Sequence, residues 1–328
     1  MDVVTGAFGY IGKYIAKALL DRGREVRTIT THPEKPNPIG ATVKAFAYSF
    51  DHPDQLTRAL EGAETLYNTY WIRFPFDGQT YESALANTRT LFQCARESGV
   101  KRVVHIGVTQ ASITSRLPYY RGKAIQESML SECGIPFSVV RPTLVFGKED
   151  ILVNNIAWLI RKSPVFPIFG SGQYRVQPLF VEDLAKIAIQ QSMGPPGTTI
   201  DAIGPEIFTF QEMVTLIAKK LGKDPRFVKV PPSFGIFCGK ILGLFLNDVL
   251  LTGNELEGLM DELLTSRQMP NGPTRFSEWL EKNSSTVGSC YSSEVERHFR
   301  CQPPPSDSVS ANSREIHARD AMPGANLL

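Results

Sequence analysis

The sequence has no CxxC pair, little net charge and no uninterrupted apolar run long enough to span a membrane. Its five cysteines, Cys94, Cys133, Cys238, Cys290 and Cys301, are odd in number and scattered. That spacing speaks against a disulfide scaffold or a zinc knuckle and for a reducing, cytoplasmic setting. Lys and Arg number 35 against 33 Asp and Glu, a formal net charge of +2, so charge implies no nucleic-acid partner. No cluster of histidines and carboxylates suggests a metal. Residues 1–5 run straight into a glycine loop without the basic and apolar regions of a signal peptide, and none is expected. The most membrane-like stretch, residues 234–251 (FGIFCGKILGLFLNDVLL), has Gly235, Gly239 and Gly243 at small-xxx-small spacing, but Lys240 and Asn247-Asp248 interrupt it. About 18 residues so interrupted make a poor span. The segment is expected to pack in a core or, second, to lie on a surface, and a membrane partner is not expected.

What is present is a chain of 328 residues, 42% of them hydrophobic, enough for roughly two lobes and too apolar for disorder throughout. The first half alternates short Val- and Ile-rich runs (DVVT, EVRTIT, VKAFAY, TLYNT, RVVHIGV, FSVVRPT) with helical patterns, the signature of βαβ units. Gly23, Gly99 and Gly134 are placed to end helices. The expected fold is α/β, a doubly wound parallel sheet of Rossmann type, with a smaller, mostly helical substrate lobe. The boundaries predicted are 1–145 for the sheet core, 146–301 for the lobe, interleaved with the core through a returning strand near 198–204, and 302–328 for a disordered tail without aromatic residues.

After the first strand comes T-G-A-F-G-Y-I-G, followed by a helix with Ile11, Ile15 and Leu19 on one face. Gly6 permits the turn, Gly9 admits a pyrophosphate to the backbone, and Gly12 lets the helix pack closely on the strand. Gly6, Phe8, Gly9, Tyr10, Ile11 and Gly12 are therefore the expected seat of a dinucleotide, NAD(P). At the end of the second strand stand Thr31 and His32, with no acid to repel a 2′-phosphate, which leans the choice to NADP; both also read as ordinary loop residues. Ser49 and Phe50, by position, flank the adenine. Asn68, Thr69 and Tyr70 are expected at the carboxyl edge near the cofactor's middle. Trp71, Phe74 and Phe76 are expected either in the core or as walls of a substrate pocket, and Arg73 as an anion clamp or a solvated charge. His105, inside an apolar strand, reads as a core residue, and Asn87 as structural.

The segments TGAFGYIG, YYRGK, GIPFSVVRPTLVFG, QPLFVEDLA and GPEIFTFQEM resemble the atypical short-chain dehydrogenases/reductases, specifically the NmrA-like and NAD-dependent epimerase/dehydratase-like group that includes an accessory subunit of complex I. The likeness covers roughly residues 1–300. It implies a Rossmann-like NAD(P)-binding fold and assigns Tyr119 as general acid/base toward a substrate oxygen. Lys123 would hold the nicotinamide ribose and lower the phenol pKa. A Tyr near pKa 10 does need a nearby cation to exchange protons readily near neutrality, and i, i+4 spacing puts both side chains on one helical face. Pro142 and Val145 resemble the segment that approaches the nicotinamide. One departure stands out. Where the group usually has Ser after the preceding strand, this chain has Gly107, leaving Thr109 or, second, Ser112 as the hydroxyl that polarises a carbonyl.

Two functions follow from the resemblance. One is an NAD(P)-dependent oxidoreductase or epimerase-like enzyme acting on a small organic carbonyl or alcohol. The other is a non-catalytic NAD(P)(H)-binding sensor or assembly protein, which Gly107 favours and Tyr119 with Lys123 opposes. The substrate and the oligomeric state are not readable from the sequence.

Overall fold

The computed structural model describes residues 1–40, 42–231, 233, 248 and 252–299. The stretch 234–251, apart from Asp248, lies outside the described residues, as do Cys238, Cys301 and the tail 302–328, so the expectations placed on them have no structural counterpart.

Seven parallel strands form the main sheet: β1 (Asp2–Thr5), β2 (Val26–Thr30), β3 (Lys44–Ala47), β4 (Thr65–Asn68), β5 (Arg102–Ile106), β6 (Phe137–Pro142) and β11 (Thr198–Ala202). Their spatial order is β3-β2-β1-β4-β5-β6-β11, a Rossmann-like doubly wound arrangement whose direction reverses between β1 and β4. Strands covered on both faces read as nearly continuous apolar runs, and β1 is buried along its whole length. On one face α1 (Tyr10–Leu20) and α6 (Val181–Met193) bury Ile15, Leu19, Leu184 and Ala188 against Val4, Val104 and Val140. On the other, α2 (Pro53–Leu60), α3 (Tyr81–Glu97) and α4 (Pro118–Glu132) supply Leu56, Leu91, Phe92 and Leu130 to cover Val3, Leu66 and Val103. The three glycines expected to end helices do so with φ of 72°, 74° and 78° at Gly23, Gly99 and Gly134. A capping box between Thr80 and Ser83 starts α3 at Tyr81.

The second half is mostly helical, as expected, and adds short strand pairs that were not expected. It contains α5 (Leu152–Lys162), α7 (Phe210–Lys220), α8 (Gly253–Met260), α9 (Phe276–Asn283) and α10 (Glu294–Phe299). It also has three two-stranded sheets. Strand β7 (Leu144–Phe146) pairs in parallel with β10 (Pro178–Phe180), and β8 (Val165–Phe169) with β13 (Arg226–Val230). Strand β9 (Arg175–Val176) pairs antiparallel with β12 (Phe208–Thr209). Residues 163–178 (SPVFPIFGSGQYRVQP), rich in Pro and Gly, conceal β8 and β9 because their partners lie far along the chain, so no local turn announces them. The returning strand is β11, which pairs with β6 from Thr198↔Ser138 to Ala202↔Pro142.

This half has its own apolar core, centred on Phe146, which is fully buried. Its ring lies 5.0 Å from Phe276, 5.2 Å from Trp279 and 5.5 Å from Phe180. Removing a ring so enclosed leaves a cavity that its neighbours on α9 and β10 cannot jointly fill. Phe146→Ala is expected to cost about 3–5 kcal/mol, read as a lowered denaturant midpoint, with the main-sheet signal and the lobe signal compared for loss of cooperativity.

Candidate functional site

The glycine loop leaves β1 and enters α1 in three steps. Gly6, at φ 65°, makes the turn, and its amide donates to Ile29 O at 2.8 Å, tying the loop to β2. Gly9 donates to Gly6 O at 2.8 Å. A Cβ on Gly12 would stand 2.3 Å from the Gly6 carbonyl oxygen, so only glycine allows α1 to press this closely. Helix α1 starts at Gly9 with no side-chain cap and no acidic residue in its first turn. The first amides of a helix have no partner inside it, and the N-cap Gly9 has no side chain to offer them. Together with the positive end of the helix dipole they suit an anion. The amides of Ile11 and Gly12 could hold a diphosphate here, with Gly9 as the place of closest approach.

Of the other expected cofactor residues, Ser49 and Phe50 just past β3 and Thr69 and Tyr70 just past β4 are partly exposed. The Thr69 hydroxyl donates to Thr5 O at 2.5 Å, and the Thr69 amide donates to Thr5 Oγ1 at 2.7 Å, which pins the end of β4 to the end of β1. Tyr70 packs against Phe50 and Tyr48 with ring separations of 5.3 and 5.0 Å, and Phe50 stacks on Tyr48 at 5.2 Å. These three rings border the place expected for the adenine, while the Ser49 hydroxyl turns to Gln55. Tyr48 was not anticipated; its place one residue before Ser49 was the available signal. Asn68 does not face the rim. It is fully buried, bridging Thr5 and His105, whose Nδ1 lies 3.0 Å from the Asn68 amide nitrogen. His105 is fully buried, and burial holds its pKa well below the usual value, which fits the core reading.

At the end of β2 the structure changes the picture. Thr31 is exposed, and the His32 ring lies 3.2 Å from Glu34 Oε1. An acid does stand beside the expected ribose site, two residues past His32. Its side chain extends back to the imidazole, which weakens the argument from acid-free sequence to NADP. Pro142 ends β6, with its carbonyl accepting from the Thr109 amide, and Val145 sits in β7.

The reacting end is built on α4. Tyr119 and Lys123 both border Trp71: the Tyr119 ring lies 6.4 Å away, nearly edge-on, and the Lys123 ammonium sits over the indole at 5.6 Å. Lys123 is 4% exposed and donates to Ile106 O at 2.8 Å. Burial brings its pKa down to about 7, against a smaller upward pull from Glu127. Tyr119, half-buried, has its pKa raised. Burial pushes it up, Tyr81 and Glu255 add to the rise, and Arg73 is the cation that opposes them. This corrects the expectation of a phenol lowered by its lysine, because desolvation outweighs the available positive charge.

The polarising hydroxyl needs a second correction. Thr109 is fully buried and its hydroxyl donates to Leu263 O at 2.8 Å, so its proton is committed to a backbone carbonyl. Ser112 pairs with Thr114 in the loop. At Gly107 a Cβ would lie 2.6 Å from Glu127 Oε1. The space a serine needs there is taken by Glu127, which is ion-paired with Arg141.

Arg73 is partly exposed and doubly paired. It pairs with Glu255 of α8 and, at 3.0 Å, with Glu294 of α10. Phe74 is buried and packs edge-on against Phe76, and Asn87 donates to the Tyr70 hydroxyl. A cavity of about 370 Å³ lies on the far side of α1, lined among others by Lys13, Tyr14, Glu149, Phe180 and Trp279, and Tyr119 is not part of it. Among the described residues no group of histidines, cysteines and carboxylates is placed to hold a metal, and no helix is long and apolar enough to cross a membrane.

Comparison with known proteins gives these features a context. The model of the NAD dependent epimerase/dehydratase family matches residues 3–191. A mitochondrial protein of Arabidopsis thaliana, NADH dehydrogenase [ubiquinone] 1 alpha subcomplex subunit 9, is 23% identical over 90% of this chain and 82% of its own length. Two solved structures share the fold. Triphenylmethane reductase of Citrobacter sp., complexed with NADP(H), has a TM-score of 0.69 at 17% identity over 86% of this chain and 99% of its own. The NADPH-dependent quinone oxidoreductase of Escherichia coli, complexed with NADPH, also has a TM-score of 0.69, at 21% identity over 87% and 99%.

The buried amine makes a pH prediction. Lys123 has a folded pKa of about 7 against an ordinary lysine value of 10.5, so between those values the unfolded chain binds one more proton than the folded one. Stability attributable to this group therefore rises with pH across that window, by up to about 1.4 kcal/mol per unit, and is flat below it. The difference in unfolding free energy between wild type and Lys123→Met, measured by urea titration from pH 6 to 10, is expected to move in favour of wild type above neutrality. A flat difference would contradict the burial of a titrating amine.

Proposed function

Because the chain belongs to the NAD dependent epimerase/dehydratase family, we propose that it holds NAD(P)(H) on the β1–α1 loop as a resident or sensed ligand, with Tyr–Lys proton transfer switched off in the conformation described. One observation carries the reading: the Lys123 amine is spent on Ile106 O under the Trp71 ring, and Tyr119 is left with a raised pKa. Gly107 in place of a serine and the committed hydroxyl of Thr109 support it. A bound nicotinamide supplies a hydride donor or acceptor. The chain's own residues would seat the diphosphate on the helix amides and pack Tyr70, Phe50 and Tyr48 near the adenine. The solved relatives named for NADP(H) and NADPH support the ligand class. The Arabidopsis relative, a dehydrogenase subunit by name, supports a role within an assembly. The odd number and scatter of the cysteines support a reducing, cytoplasmic setting, while that relative is mitochondrial by name.

A second reading, an oxidoreductase or epimerase-like enzyme for a small carbonyl or alcohol, is favoured by one observation. Tyr119 and Lys123 share a face of α4, and an amine with a pKa of about 7 exchanges protons readily near neutrality.

Thermal unfolding with NADPH and with NADH separates these readings from the alternative of an empty seat. At roughly 100 Kd the bound nucleotide adds about 2.7 kcal/mol, a rise of several degrees in melting temperature, and the larger rise identifies the cofactor. NADPH or NADH oxidation with a panel of aldehydes, quinones and enones is expected to stay at the background rate and to be unchanged in Tyr119→Phe. Turnover lost in Tyr119→Phe would establish the enzyme reading instead.

A further inference from the structure

Trp71 stands where its own chemistry does not favour it. Its ring is pressed against α4 so closely that a Cβ on Gly122 would lie 2.5 Å from two of its carbons, and its indole nitrogen is buried with no hydrogen-bond partner. Something must hold it there. The loop that carries it is tied at Arg73, whose guanidinium is shared by Glu255 and Glu294 and whose carbonyl accepts from the Tyr81 hydroxyl at 2.9 Å. Tyr81 also stacks on Trp71 at 5.6 Å.

The two carboxylates are themselves fixed. Glu255 closes the capping box of α8, accepting from the Thr252 amide at 2.9 Å, and Glu294 is 5% exposed at the start of α10, where Asp248 accepts from its amide. Helix α8 then packs on Tyr120 of α4: a Cβ on Gly258 would lie 2.9 Å from the Tyr120 ring, and Arg116 ion-pairs with Glu257 and Asp261.

We infer that Arg73, gripped by Glu255 and Glu294, is the catch of an autoinhibitory plug in which Trp71 covers Lys123 and the C-terminal helices close the reacting end. Releasing the catch lets the loop swing out, hydrates the indole N–H and uncovers the amine. Arg73 is a positioning residue, acting on Lys123 through Trp71. The inference rests on the reading of a switched-off reacting end and names what keeps it off.

The test is acetylation of the full chain by an N-hydroxysuccinimide acetate at pH 7.5, followed residue by residue in digested protein by mass spectrometry, with exposed Lys17 and Lys148 as internal references. In wild type Lys123 is expected to react far more slowly than either. Arg73→Met keeps the aliphatic stem and removes the charge, and is expected to speed Lys123 by about tenfold or more with the references unchanged, since labelling of a covered group follows the population of its open form. Glu255→Gln combined with Glu294→Gln should act in the same direction, and Trp71→Ala should expose Lys123 with Arg73 still in place. Melting curves taken alongside separate local opening from unfolding. Should Arg73→Met unfold, the double glutamine variant carries the test. Lys123 labelling in wild type at the reference rate, or unchanged labelling in folded Arg73→Met or the folded double variant, overturns the plug. These outcomes are independent of nucleotide: a chain that fails to bind NADPH or NADH defeats the proposed function while leaving the catch to be judged on labelling.

Discussion

An ammonium group buried on α4 is the constraint around which the reacting end is arranged. Taking a lysine charge out of water costs several kcal/mol even after relaxation. Against this cost Lys123 has one charge-assisted hydrogen bond to Ile106 O, an indole face and the field of Glu127 one helical turn away. A hydrogen bond to a charged group returns roughly 1.5–3 kcal/mol, and a desolvated cation–π contact about 2. These offsets leave a deficit, and the amine responds by giving up its proton more easily. The low pKa and the covering ring are thus two consequences of the same burial. The ring excludes the water that would otherwise stabilise the charge.

The glycine loop depends on none of this. Its geometry comes from the backbone of eight consecutive residues: a positive φ at Gly6, the Gly9 amide turned to Gly6 O, and the approach of Gly12 to that same carbonyl. Such features are written locally and are legible in sequence, as are the alternating strands and the helix stops at Gly23, Gly99 and Gly134. Fold class and nucleotide seat therefore follow from short-range chemistry.

The reacting end was legible only in its residue types. The spacing of Tyr119 and Lys123 places them on one helical face but says nothing of what packs above them. Arg73 meets its carboxylates across separations of 182 residues to Glu255 and 221 to Glu294, and the Thr109 hydroxyl finds Leu263 across 154. Burial decides the sign of the phenol shift, and burial here is supplied by α8 and α10, elements with no pattern linking them to β4. Strands β8 and β13 were hidden for the same reason: each is short and defined by a distant partner. Glu34 is a milder case, a carboxylate two residues beyond the expected position whose side chain reaches back to His32.

Seat and reacting end consequently answer to different parts of the chain. The diphosphate cradle is set by β1, α1 and the end of β4, whereas access to Lys123 is set by the loop at Trp71 and the helices after Thr252. A nucleotide can be held by the first without the second changing, because the amides at the start of α1 need no movement of Trp71 to meet an anion. Coupling between them has one evident structural carrier. The Thr69 hydroxyl and amide lock the end of β4 to Thr5 at the end of β1, and Trp71 follows two residues later. Binding energy at the seat can bias the covered and uncovered states only to the extent that the bound nucleotide interacts differently with the two.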